Sequence, residues 1–381
     1  MLLSWIARLF RIPSRPSRRQ RRAKRRITPP TFRPRLEILE TRTLLNASLP
    51  QPISVDTTGA AMGNSSSSSA PLSSMSANGQ YEVFTSSATN LVKGVTVNNE
   101  GHVYYRNLSS GTTALVDISS DGTDAGNNSA YDPVISADGR FVAFQSNDTN
   151  LTANSAYGYD EIYVRDMVTG QTYLVSLDSA GTNGSVGYTN TPVISESDGK
   201  LLIAYQSYDD DLTAGDTSGN YQIFLTTFNL DSTGAIEYGT LSTKLVSADS
   251  TGNGGNNTSQ TPVLSADGST LGFQSYASNL NVPGGYLDNA GSENLYLYNV
   301  ANQQLTLLTA EPTAAATGNN SSTTAPASLS ANGQYEVFTS TATNLVNNVP
   351  VNGYQHVYLR DLKNGTTTLV DLDSSGTAAA D

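Results

Sequence analysis

The chain has 381 residues, of which 21 are basic and 33 acidic, for a net charge of −12 and no cysteine. Disulfide frameworks and thiolate metal sites are therefore excluded, and the redox state of the compartment leaves no mark. Only 14% of residues are charged, and glycine and tyrosine are abundant at 32 and 20 residues, which suits β-structure rich in turns.

The first 50 residues differ in kind from the rest. They hold 13 basic residues against two acids, Glu37 and Glu40, a charge of +11, whereas residues 51–381 hold 8 basic and 31 acidic residues, a charge of −23. A run such as Arg18, Arg19, Arg21, Arg22, Lys24, Arg25 and Arg26 repels itself and stays solvated. A disordered or partly helical tail is expected at 1–50, serving as a targeting or tethering segment that contacts export machinery or an anionic membrane surface. Nucleic acid is not expected as a partner, because a body this acidic repels phosphates. The apolar patch Leu2, Leu3, Trp5, Ile6, Leu9 and Phe10 is too short to span a bilayer. It also precedes the basic run, the reverse of a secretory signal.

Residues 35–48 read RLEILETRTLLNAS. Leu36, Glu37, Leu39, Glu40, Arg42, Leu44, Leu45 and Ala47 follow a pattern that resembles the LEPR-RLL segment near the N-termini of planctomycete surface and secreted proteins, with Asn46 where serine is usual. The resemblance implies export, to the cell surface or an extracellular or periplasmic space.

From there the chain is a repeat array. Residues 76–92 and 330–346 differ only at Ser87 and Thr341, and weaker copies of the same phrase begin near 136, 197 and 265. Five units follow, approximately 60–124, 125–181, 182–252, 253–318 and 319–381. A unit this small cannot bury its own apolar face, so neighbours must stack. The second unit parses into a strand at 134–136 after Pro133 closes the linker, then a tight turn, a strand at 141–146, a long polar loop, a strand at 161–167, a turn at 168–171 and a strand at 172–177. The turn glycine recurs as Gly79, Gly139, Gly199, Gly268 and Gly333. Aromatics recur on the second strand (Phe84, Phe144, Tyr205, Phe273, Phe338) and the third (Tyr104, Tyr163, Phe224, Tyr296, Tyr358), as core packing requires.

Four antiparallel strands per unit without helical periodicity predict an all-β fold, a β-propeller of about five blades, with a sandwich or solenoid as the other option. The phrase SADGRFVAFQS (136–146), with IYVRD (162–166) and TGQTYLVS (169–176), resembles the WD40-like (PD40) repeats of the TolB-type propeller group. The match covers 53–381. Residues 53–59, ISVDTTG, read like the end of a unit, so six fourth-strand segments face five copies of the other strands. An open or truncated ring is the expectation that follows.

No catalytic constellation emerges. His102 and His356 occupy the same place in units one and five, and nucleophile elbows, phosphate loops and metal-protease helices are lacking, so no catalytic residue and no cofactor is expected. Calcium is the one metal the loops suggest, through Asp216, Asn220, Asp288 and Glu293, although solvated turns account for such residues as well. The expected function is non-enzymatic: a binding or surface-assembly module for a protein or glycan. A self-associating coat and a degenerate propeller hydrolase are the alternatives.

Overall fold

The structure, a computed structural model, describes residues 52–381 except 70–72, 155–156, 215–217, 284, 286–290, 314–315, 348 and 381. The basic segment 1–50 and its LEPR-RLL-like pattern lie outside the described residues.

Among the described residues, twenty strands form five four-stranded antiparallel meanders, each strand beside its chain neighbours. Blade 1 holds β1 (Ser67–Ser69), β2 (Tyr81–Ser86), β3 (His102–Asn107) and β4 (Thr112–Leu115); blade 2 holds β5 (Ala130–Ile135), β6 (Phe141–Ser146), β7 (Glu161–Asp166) and β8 (Gln171–Leu174). Blade 3 is longer, with β9 (Thr189–Ser197), β10 (Lys200–Ser207), β11 (Gln222–Leu230) and β12 (Ile236–Leu245). Blade 4 holds β13 (Ser259–Leu264), β14 (Thr270–Ser275), β15 (Asn294–Asn299) and β16 (Gln304–Leu307); blade 5 holds β17 (Ser322–Leu329), β18 (Tyr335–Ser340), β19 (His356–Asp361) and β20 (Thr366–Leu369). The fold is a β-propeller. No described helix is long and apolar enough to cross a membrane.

The five turn glycines all have positive φ, between 62° and 84°, the conformation that glycine adopts without a Cβ penalty. Each blade stacks its recurrent aromatic pair at centroid separations of 5.4–6.0 Å, fully buried. The tyrosine hydroxyl of that pair, buried with its ring, is satisfied by a carbonyl of the loop that precedes its strand, as in Tyr104 to Ala88 (2.8 Å) and Tyr163 to Asp148 (2.9 Å). Blade 3 exchanges the two rings, and there Tyr205 meets the Thr226 hydroxyl instead, at 3.0 Å.

Apolar clusters hold blade to blade. Val83, Val103 and Val116 of blade 1 pack against Val142, Phe144 and Tyr163 of blade 2, and similar clusters join blades 2 and 3, 3 and 4, and 4 and 5. Among the described residues, none joins blade 5 to blade 1. Residues of all five blades nevertheless line one cavity of about 310 Å³, Ile135, Ile194, Leu264 and Leu329 from the inner strands of blades 2 to 5 and Met75 from the segment after β1.

Two sequence expectations need correction. The inner strand of blade 2 does not begin after Pro133 but at Ala130, because Asp132 at φ 49° forms a bulge that lets the ladder step from Tyr131 to Val134 past the proline. Residues 53–59 are not a fourth strand. Val55 pairs only with Met62, in a compact connector that recurs after β4, β8, β12, β16 and β20 as the bridges Ile118–Ala125, Leu177–Gly184, Ala248–Gly254, Ala310–Thr317 and Leu372–Ala379. Six connectors and five complete sheets resolve the mismatch in strand count.

Candidate functional site

Each third strand begins with a buried polar residue whose partner follows the fourth strand. In blade 1 the His102 Nδ1 meets Asp117 Oδ2 at 2.6 Å, and Asp117 Oδ1 accepts the Val103 amide at 2.9 Å. The same place is taken by Glu161 with Ser176, Gln222 with Ser247, Asn294 with Thr309 and His356 with Asp371. In every case the second member also accepts the next backbone amide of the third strand. The dyads pin the fourth strand to the third where the ladder ends. They are a structural device repeated five times, and the two histidines are two of its members. The second ring nitrogen of each histidine faces an asparagine oxygen, Asn98 at 2.8 Å and Asn352 at 2.7 Å. Asn98 donates its amide to Gly126, so both His102 nitrogens point at acceptors, an arrangement that favours the protonated ring.

Blades 2 and 3 add an acid to this arrangement. Where blades 1, 4 and 5 carry Ala88, Ala277 and Ala342, they carry Asp148 and Asp209, which approach the dyads of blades 1 and 2 across the seams. Burial works against charge on His102, but the hydrogen bond to Asp117 and the carboxylates of Asp117, Asp148 and Glu100 outweigh it, and its pKa is raised. Burial pushes Asp148 up to about 6 despite the Ser146 hydroxyl. Glu161 is fully buried, and burial pushes it up to about 9 although Ser176 and Ser185 both donate to its Oε2. Its Oε1 has no partner. Asp211 is pushed up to about 7 by burial, its hydrogen bond with Asp209 and the surrounding carboxylates.

Among the described residues, three pockets lie beside connector turns, where the turns approach the outer strands of a blade. The first, between blades 1 and 2, encloses about 430 Å³ and presents Asp121, Asn154, Arg165, Gln171 and Tyr173. Between blades 3 and 4 a pocket of about 530 Å³ presents Lys244, Asp249, Asn281, Tyr298 and Gln303. A third, at blades 4 and 5, encloses about 420 Å³ around Asn347, Arg360, Thr366 and Thr368. Each offers one cation amid amides and hydroxyls. Arg165 and Arg360 donate to Thr172 and Thr367 at 2.7 and 2.9 Å, and the buried Arg360 Nε has no partner. Lys244 lies 5.6 Å from the Tyr298 ring centre and donates to Gln303 at 2.6 Å. Two further tyrosine pairs lie at blades 2 and 3: exposed Tyr159 stands edge-on to exposed Tyr188, and exposed Tyr208 edge-on to half-buried Tyr221.

Of the residues expected to hold calcium, Asp216 and Asp288 lie outside the described residues. Asn220 and Glu293 stand near the heads of β11 and β15 in successive blades. The Asn220 amide donates to Ser218 within its own loop, and Glu293 accepts from Gln260 at 3.0 Å. Among the described residues, no group of three or more histidines or acids is placed to hold a metal ion. The seam pockets and buried acids escaped sequence reasoning. Each draws residues from two units, and the one signal available was the replacement of alanine by Asp148 and Asp209 at a repeat position.

No protein-family model and no curated protein matches the chain. Solved structures do. TolB from Acinetobacter baumannii is similar over 80% of this chain and 53% of its own, at 14% identity and a TM-score of 0.37. The propeller domain of the Trilobed protease from Pyrococcus furiosus, described as having an open velcro topology, is similar over 80% and 72%, at 15% identity and a TM-score of 0.39. A prolyl endopeptidase is similar over 81% of this chain and 37% of its own, at 14% identity and a TM-score of 0.44. The chain thus spans about half of TolB and less than two fifths of the prolyl endopeptidase.

Proposed function

We propose that the chain is an exported, non-enzymatic binding module whose ligand is a neutral glycan held in the seam pockets. The observation that carries this is the recurrence of one pocket chemistry at three seams: a cation, carboxamides and hydroxyls in a concavity the size of one or two sugar units. Sugar hydroxyls need closely spaced donors and acceptors, which these side chains supply, and Tyr173 and Tyr298 add ring faces for the sugar's CH groups. Repetition along one molecule adds avidity for a polymer. The charge of −23 after residue 50 disfavours polyanionic glycans. Non-enzymatic action is in keeping with dyads that recur in every blade and spend their hydrogen bonds on the sheet. Export rests on the basic run and the pattern at 36–47.

A glycan array probed with the full chain tests the reading. Binding to neutral polysaccharide that drops at least tenfold in the Arg165→Ala, Lys244→Ala, Arg360→Ala triple variant is expected. Capture of protein partners alone, or glycan binding indifferent to the triple change, would refute it. Fractionation of cells with and without residues 1–50 tests export: retention only in the shortened chain is expected, and equal partitioning would contradict it.

A further inference from the structure

One backbone bond marks the same place in every blade: the residue after the second strand donates its amide to the residue before the first, as in Ser87 to Ser66, Asn147 to Ser129 and Thr341 to Ser321. In blade 3 the two residues are Tyr208 and Tyr188, 50% and 52% exposed. Blade 4 has one ring there, Tyr276, and it is half-buried. The sheet does not require these rings, since serine, asparagine and threonine form the same bond in blades 1, 2 and 5. Tyr159 stands edge-on to Tyr188, and Tyr221 edge-on to Tyr208. Val186, also 50% exposed, lies two places after its connector bridge, where four other connectors carry Asn64, Asn127, Asn256 and Asn319.

Carboxylates gather at the same place. Asp209, Asp210 and Asp211 follow Tyr208 directly, whereas the other four blades together hold one acid, Asp148, in the equivalent positions. Asp210 is exposed, and half-buried Asp160 adjoins Tyr159 in the chain. Bases are held elsewhere. Between residues 142 and 222 the chain has two, of which Arg165 donates to Thr172 and Lys200 opens β10, roughly 25 Å from Tyr208 at its other end. We propose that this patch docks an arginine-bearing peptide segment of a partner protein. A guanidinium stacks flat on a tyrosine ring while its N–H fork pairs with a carboxylate, and blade 3 supplies both groups side by side. A neutral sugar would leave the acids without a use, and an anion would be repelled by them. Exposed apolar side chains rimmed by charge are the ordinary mark of such a surface. The site goes beyond the glycan reading and shares no residue with the seam pockets.

The probe is a fluorescein-labelled octapeptide of alternating arginine and glycine, titrated with the full chain at low salt and followed by polarisation. It should bind the native chain. The Tyr188→Ser, Tyr208→Asn double variant, which copies the residues of blade 2, should bind on the order of tenfold more weakly with a melting curve close to the native one. Asp210→Thr, at an exposed position, should weaken binding about threefold. The Arg165→Ala, Lys244→Ala, Arg360→Ala variant should bind the peptide as the native chain does, which separates failure of this site from failure of the seam pockets. No binding to the native chain, binding untouched by the double variant, equal binding of a glutamate-for-arginine peptide, or displacement of the peptide by a neutral oligosaccharide would each overturn the assignment.

Discussion

Blades 1 and 5 are written in nearly the same residues and sit in different surroundings. Val116 is wholly buried and Val370 is 53% exposed, and the Asp117 side chain is sealed whereas that of Asp371 is 32% exposed. Inside each blade the two agree closely: the stacked rings, the histidine with its aspartate, and the ladder registers coincide. What a blade makes internally is set by its own sequence. What its outer face is worth depends on the neighbour, the behaviour expected of an array stabilised by nearest-neighbour interfaces.

The largest contrast should come from charging the covered face. Val116→Asp should cost roughly 3–5 kcal/mol in urea unfolding, as a carboxylate enters an apolar cluster with no partner, whereas Val370→Asp should cost less than about 1 kcal/mol. Equal losses would break the comparison. Next in size is the dyad. His102→Ala strands Asp117 without its cation in a sealed site and should cost about 3 kcal/mol, against about 1 kcal/mol for His356→Ala, whose aspartate reaches solvent.

A third prediction concerns pH and rests on the buried groups of the first two seams. Glu161 and Asp148 hold protons in the fold that they would release when unfolded, and His102 keeps its proton to higher pH than in the unfolded chain. All three shifts have one sign: the folded state binds more protons between about pH 4.5 and 9, so stability falls as pH rises through that window. The loss between pH 5 and pH 9 should be on the order of 5 kcal/mol, most of it from Glu161, as read in unfolding at the two pH values. Glu161→Gln should flatten the profile, since Gln222 already fills the same place in blade 3, accepting from Ser247 at 2.6 Å and donating to Gly255 at 2.9 Å. A profile unchanged by this substitution would contradict the assignment.

The smallest effect is a deliberate control. Asn64 and Asn319 make the same local clamp, each taking an asparagine oxygen on its backbone amide and donating its side chain to a threonine. Alanine at either position should cost about 1 kcal/mol, and the two costs should agree within a few tenths, because the bonds stay within one blade.

These contrasts also mark how much could be read in advance. Turn glycines and stacked aromatics were legible because one residue type serves one geometric need in each unit. The dyads were not, since His102, Glu161, Gln222 and Asn294 share only a capacity for hydrogen bonding, and their partners stand about 15 positions away or more. Residues 53–59 read as a fourth strand because their apolar and turn residues copy the end of a unit, and only the Val55–Met62 bridge shows a connector instead. The seam pockets depend on which blade adjoins which, and no single unit encodes that.

Amide hydrogen exchange at Val116 and Val370 tests the central claim most directly. Both amides donate to the third strand of their blade, at 2.9 and 2.8 Å, within nearly the same sequence. At high dilution Val370 should exchange at least tenfold faster than Val116. Equal protection of the two amides at high dilution would contradict the claim that the neighbouring blade, and not the repeat's own sequence, decides the stability of its outer face.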